Sequence, residues 1–293
     1  MNGLTIKEIE LLSGIRAHTI RIWEQRYRFL KPGRTHSNIR RYSRDELRRI
    51  LDISLMTRIG FRISQMDKMS EEEIQEKKLS LTSPEARREV IVNEMILCMV
   101  DYDMEPFEQA IDAYIISYGI ERSITLLIGA FLERIGIPWG EPAMSHAQEN
   151  LISSVIRQKL AVAIESLVPH ARINKSVLLF LPESEFRELG LLFSNYLLKS
   201  RGIKLQYLGA SLPLEDLEYA VKIWKPNYIY SHLSSAPKGF SLERYLQQLS
   251  KRMEKAEIII SGPVTFGYEK KLPPRTHICS TYPEILEFIS SIH

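Results

Sequence analysis

The stretch Thr5–Tyr27, TIKEIELLSGIRAHTIRIWEQRY, decides how the first quarter of the chain is read. Thr5 stands before an amphipathic run with Glu8 three residues on, the spacing at which a hydroxyl and a carboxylate satisfy the free amides of a helix start. Ser13-Gly14 ends that helix in a tight turn. A second helix is expected over Ala17–Tyr27, with Ile20, Trp23 and Tyr27 on one side and His18, Thr19, Arg21 and Arg26 facing outward. Trp23, Ile20 and Ile22 are assigned to the core, because apolar residues at helical spacing are more often packed than in contact with a ligand. Two short helices joined by a glycine turn, the second one basic, is the layout that lets a recognition helix enter a major groove.

Leu30–Asp45, LKPGRTHSNIRRYSRD, follows as a short hairpin between the Pro32-Gly33 and Ser37-Asn38 turns. It leads into Arg40, Arg41 and Tyr42, and Ser43 then caps a third helix with Glu46 at the capping-box position. A hairpin carrying arginines can lie along a phosphate backbone or reach a minor groove.

Charge agrees with this placement. Residues 1–70 carry 15 Lys and Arg against 7 Asp and Glu, net +8, while the remaining 223 carry 24 against 29, net −5. A polyanion would find its counter-charge at the front of the molecule.

The order TIKEIELLSGI, HTIRIWEQRY, the wing exit N-I-R-R-Y-S-x-x-E-L (Asn38–Leu47) and IGFRISQM (Ile59–Met66) resembles the MerR family of transcription regulators. The resemblance implies double-stranded promoter or operator DNA as partner. It also implies a set of DNA-binding residues: Thr5, Arg16, His18, Thr19 and Arg21 from the helices, and Arg34, Asn38, Arg40, Arg41 and Tyr42 from the wing. Arg26 and Arg28 are either phosphate ligands or a solvated face. No apolar heptad is sustained over 64–83, so the coiled coil usual in that family is absent and a homo-oligomer, dimer or tetramer, must form elsewhere.

At 293 residues and 34.0 kDa the chain should hold more than one core. The expected class is multidomain α and α/β. A winged helix-turn-helix occupies 1–70 and a polar linker or short solvated helix 71–83. A four-helix bundle follows over 84–170, then a Rossmann-like, flavodoxin-like parallel sheet over 171–293. The bundle is read from apolar residues such as Val90, Ile91, Met95, Ile96 and Met99 at three- and four-residue steps. The sheet is read from short apolar runs at Ser176–Leu181, Lys204–Leu208, Tyr228–Leu233 and Ile258–Ile260, alternating with helices near 185–201, 213–224, 240–253 and 282–291. No apolar run is long enough for a membrane span and the start lacks a signal-peptide order, so a cytoplasmic protein is expected. Cys98 and Cys279 stand apart, without disulfide or zinc spacing.

Head, bundle and βαβ domain in that order resemble the cobalamin-dependent light-sensing regulators of the CarH and LitR kind. That family's bundle carries Trp, nine residues, then Glu-His; here Trp139 is followed by Glu149 and Asn150. Its sheet domain carries an acidic residue-x-His-x-x-Gly motif; here the positions are Glu185, Arg187 and Gly190. Ser231, His232 and Leu233 stand at the family's Ser-x-Leu, and Ser261-Gly262 where it often has Gly-Gly. By this resemblance both cobalt-ligand histidines are missing. Arginine stays protonated and has no lone pair to give, and asparagine is a weak ligand. No metal and no cofactor are therefore expected.

Three readings of the loss stay open. The domain serves oligomerisation, a partner or another ligand; cobalamin or another tetrapyrrole docks through non-histidine contacts; or the core is filled and the region only supports the head. His146, four residues before Asn150, and His232 are expected as hydrogen-bonded structure rather than as substitute ligands. A corrinoid-dependent enzyme module is the other class. It would need the same histidine, and no GxSxG, P-loop or GxGxxG occurs, so no enzyme is expected.

Overall fold

A computed structural model describes residues 3–136, 145–168, 173–236, 239–253 and 255–292. It divides into two compact units, 1–152 and 153–293.

In the first unit both expected capping boxes form. Thr5 and Glu8 start α1 (Ile6–Ser13), with Thr5 N donating to Glu8 Oε2 at 2.6 Å; Gly14 ends it at φ 71°. The turn leads into α2 (Ala17–Arg26). A two-residue ladder, β1 (Gly33–Arg34) against β2 (Arg40–Arg41), makes the hairpin, with Asn38 in the left-handed region at its tip. Ser43 and Glu46 then start α3 (Arg44–Arg58). Ile9, Leu12, Ile20, Trp23, Leu47 and Ile50 close the core beneath these helices. Ile22, assigned to that core from its spacing, is instead 40% exposed. It lies on the far side of α2, one residue from Trp23 and so about 100° around the axis.

The stretch read as a polar linker or short solvated helix does form a helix, but a docked one rather than a solvated one. After α4 (Ile63–Met66), Ser70 and Glu73 cap α5 (Glu71–Leu79), whose Ile74 and Lys78 are buried. Lys78 Nζ lies 2.8 Å from Asp52 Oδ1 on α3, with side-chain exposures of 3% and 7%, and 3.4 Å from Glu94. Burial pushes the Asp52 carboxyl above its ordinary range even though Lys78 draws it down. Glu94 belongs to α6 (Pro84–Asp101) and also meets Arg48 at 3.3 Å, while Asn93 Nδ2 donates to Leu51 O. The helix after the head therefore packs on α3.

The remaining helices are α7 (Met104–Tyr118), then α8 (Ile120–Arg122) continued through a π-helical segment Ser123–Ile128 into α9 (Gly129–Arg134), and α10 (His146–Glu165), which carries the chain into the second unit. Phe107 meets Phe131 edge to face at 5.3 Å.

The second unit is one parallel sheet. β3 (Ile173–Pro182), α11 (Leu189–Ser200), β4 (Ile203–Leu212), α12 (Leu214–Trp224), β5 (Tyr228–His232), α13 (Leu242–Arg252), β6 (Glu257–Ser261), β7 (Thr276–Cys279) and α14 (Tyr282–Ser291) succeed one another along the chain. Strands lie in the order β4-β3-β5-β6-β7, the flavodoxin-like order. β3 is apolar throughout its second half because both its faces are covered. Val177, Leu179 and Leu181 pack toward α11 and α14, and Leu178 and Phe180 toward α12 and α13. The four helices expected from the sequence are all present. β7, four residues including Thr276 and His277, is an additional strand that the apolar runs did not mark.

Lys78→Ala in the full chain should lower the stability of the first unit by about 3–5 kcal/mol, since it strands the Asp52 carboxylate in the interior. Asp52→Leu together with Lys78→Met should recover most of that loss. Urea unfolding followed by circular dichroism measures both; an unchanged midpoint for Lys78→Ala would show the pair to be solvated.

Candidate nucleic-acid interface and effector crevice

Ile20 and Trp23 turn one face of α2 inward, and this presents Arg16, His18 and Arg21 to solvent, with Thr19 half-buried between them. No side chain caps the start of α2, so its first amides remain available to an anion. In the hairpin Arg34 Nη1 donates to Asn38 Oδ1 at 2.7 Å, and both residues are exposed.

The wing exit is built otherwise than its arginines suggest. Arg40 Nε pairs with Glu24 Oε2 at 2.7 Å, and the Tyr42 hydroxyl donates to the other oxygen of the same carboxylate. Tyr42 is fully buried, and burial with the Glu24 charge pushes its phenol far above the usual range. Tyr42 is therefore corrected from DNA contact to core. Arg41 Nη1 donates to Gly3 O at 2.9 Å, beside the Leu4–Tyr42 bridge. Thr5 is engaged in the cap of α1. Glu24, passed over in the sequence, ties the recognition helix to the wing strand. Its only signal was an acidic residue next to the buried Trp23 in an otherwise basic helix.

In the second unit the positions singled out from the sequence converge at the carboxyl ends of β3, β5 and β6, next to the switch point where the chain turns from one side of β3 to the other. Parallel sheets bind ligands at such places. Glu185 is buried in the loop after β3. One of its oxygens accepts from Arg187 N at 2.9 Å, the other from Ser235 N at 2.9 Å and Ser235 Oγ at 2.8 Å. The carboxylate thus ties the loop after β3 to the loop after β5. Arg187 is exposed.

His232, at the end of β5, lies against the start of α11. A Cβ on Gly190 would sit 2.0 Å from His232 Cδ2, and one on Gly262 would sit 3.1 Å from His232 Nε2 and 2.6 Å from Leu233 O. Only glycine lets the ring and backbone approach this closely. His232 Nδ1 meets Ser261 Oγ at 2.9 Å, Ser261 meets the Tyr230 hydroxyl at 2.6 Å, Tyr230 meets Ser194 Oγ at 2.8 Å, and Ser194 reaches Gly190 O at 2.9 Å. Each hydroxyl can donate once along this line if Nδ1 carries the imidazole proton. Burial lowers the His232 pKa to about 4 and raises that of Tyr230 to about 12. Leu233 is buried, and Ser231 Oγ is buried with no hydrogen-bond partner among the described residues.

His146, Glu149 and Asn150 lie on α10 in the first unit. His146 is almost fully exposed, 3.8 Å from Glu149, and Asn150 is exposed. Trp139 lies outside the described residues. Among the described residues no three His, Cys, Asp or Glu side chains are grouped to hold a metal.

Residues 4–73 match the MerR HTH family regulatory protein family. Over those residues the chain carries a MerR-type DNA-binding head, the mark of a DNA-binding regulator. It is similar to the HTH-type transcriptional repressor CarH of Myxococcus xanthus, at 27% identity over 224 residues covering 74% of each chain. It is similar also to the HTH-type transcriptional repressor CarA of the same organism, at 28% over 229 residues, 77% of this chain and 75% of that one. The fold behind the head is similar to that of a solved corrinoid protein. The Methanosarcina barkeri monomethylamine corrinoid protein superposes over its whole length and 70% of this chain, with TM-score 0.57 and 11% identity.

The crevice residues do not fit a cobalamin held through a histidine. The guanidinium at 187 offers cobalt no lone pair, and the space next to Gly190 and Gly262 holds the chain's own imidazole.

Glu24→Gln should weaken binding to duplex DNA roughly tenfold while the helical content stays intact, because the wing loses a charge-assisted anchor. Fluorescence anisotropy on a random-sequence duplex at low salt reads this, and unchanged affinity would show the wing to be held without Glu24. A second expectation concerns pH. An unfolded histidine takes up a proton near pH 6.5 and His232 only near 4. Above 6.5 its titration costs nothing; between 6.5 and 4 the unfolded chain gains a proton that the folded one refuses. The second unit should lose up to about 1.4 kcal/mol per pH unit there, roughly 3 kcal/mol in all, and no more below. His232→Asn should flatten the urea midpoint between pH 7 and 5 relative to wild type, and parallel curves would contradict the buried neutral state.

Proposed function

We propose that this regulator binds promoter or operator DNA as a homo-oligomer in the cytoplasm. α2 enters the major groove with Arg16, His18, Thr19 and Arg21 toward base edges and phosphates, and the hairpin lays Arg34 and Asn38 along the backbone, with Arg40 and Arg41 bracing it. The observation that carries this is the exposed basic face of α2 together with the wing that Glu24 holds against it. Its action is regulatory rather than catalytic. Both similar proteins are named repressors, which favours repression. Among the described residues no helix is long and apolar enough to cross a membrane.

The finer reading is that the sheet domain is not governed by adenosylcobalamin and light in the manner of the CarH and LitR kind. Arg187 in place of a histidine supports it. The domain then serves as an oligomerisation or partner-binding module, or answers another ligand.

Arg34→Ala should lower affinity alike for all duplex sequences and reduce the slope of log K against log salt by about one. Arg16→Ala should instead alter sequence preference in a selection from random duplexes. Wild-type protein incubated with adenosylcobalamin, hydroxocobalamin or haem should leave a desalting column colourless, with DNA affinity unaffected by illumination. Co-elution of pigment would establish a tetrapyrrole sensor instead.

A further inference from the structure

A parallel sheet of this order opens a crevice at the carboxyl ends of its strands, and glycines there let a ligand approach the backbone. Here two glycines, Gly190 and Gly262, border one spot, and it is filled from within: the His232 ring lies so close to Gly190 that a methyl group there would overlap it. The ring is also held by its edge. Nδ1 meets Ser261 Oγ, and the hydroxyls of Tyr230 and Ser194 continue the line to Gly190 O. The same strand end carries a buried hydroxyl without a partner among the described residues, Ser231 Oγ.

We infer that His232 is a built-in plug: its imidazole occupies a ring-sized slot that Gly190 and Gly262 keep open, which bars any ligand that must insert a heteroaromatic ring there. The ligand class excluded is that of azoles and of nucleotides with a benzimidazole-type base. The inference rests on the reading that the domain no longer holds cobalt through a histidine, and it adds a second, separable barrier. Arg187 removes the metal's ligand; His232 removes the room for a detached ring. Only glycine at 190 is compatible with the plug, while Gly262 is required by its φ of 98° and by the Leu233 carbonyl 2.6 Å from a would-be Cβ, so both glycines remain necessary even with no external ligand.

The test uses the full chain. His232→Gly should lower the melting temperature, and millimolar imidazole or benzimidazole should restore part of the loss, while wild type shows no azole-dependent shift. Adding Ser261→Ala should weaken that rescue at least severalfold in apparent affinity. Gly190→Ala should destabilise wild type but cost little in the His232→Gly background, which reads the ring contact without any ligand. If His232→Gly fails to fold, refolding yield with and without benzimidazole and the same cycle built on His232→Ala decide instead. No azole effect on either variant, an equal effect on wild type, or additive Gly190 and His232 substitutions would each overturn the plug. Hydroxocobalamin separates the two readings. Binding by wild type would overturn the loss of cobalamin control while the azole results still judged the plug. Uptake by Arg187→His/His232→Gly but not by Arg187→His alone supports both barriers; uptake by Arg187→His alone overturns the plug.

Discussion

Taking the Lys78 ammonium and the Asp52 carboxylate out of water costs several kcal/mol for each ion unless they meet, and they meet only when α5 lies against α3. That requirement sets the course of the chain beyond the winged helix. A segment with few apolar residues, reading as a solvated connector, becomes a docked helix, and Glu94 and Arg48 extend the pair into a small network that brings α6 onto the same face. The head and the helices after it consequently fall within one compact unit. Residues 71–79 thereby hold the chain's own third helix in place.

A second carboxylate does comparable work within the head. Glu24 accepts from Arg40 and Tyr42, so a helix presented to solvent and a two-residue strand with few contacts of its own keep a fixed relation. A hairpin this short has little intrinsic stability. The positive charges on its outer side can then be offered to a polyanion in a set geometry, while Arg40 and Tyr42 act from behind.

In the sheet domain the polar residues at the carboxyl ends of the strands bond to the chain itself. Glu185 bridges two loops, and His232 rests on the glycines beneath. The line from His232 Nδ1 through Ser261, Tyr230 and Ser194 is hydrogen-bonded throughout, and desolvation favours the neutral imidazole.

The sequence by itself determined the elements whose causes are local. Thr5 with Glu8 and Ser43 with Glu46 set two helix starts, Gly14 set a stop, and the change from helical to strand-and-helix rhythm after residue 170 marked the parallel sheet. It also determined that position 187 cannot ligate a metal, since that is a matter of side-chain chemistry alone. β7 escaped because it is only four residues long, begins with the polar Thr276 and His277, and pairs at the sheet edge with β6 alone. What depended on distant partners was decided by the tertiary structure. Tyr42 is in the core because Glu24 meets it from 18 residues away; Ile22 is outside because Trp23 takes the inward direction; Lys78 is buried because Asp52 and Glu94 are there to neutralise it. His232 reads in the sequence as one more histidine inside a motif. It becomes a plug only when folding brings Gly190, 42 residues earlier, and Gly262, 30 residues later, against its ring, a proximity that no local spacing encodes.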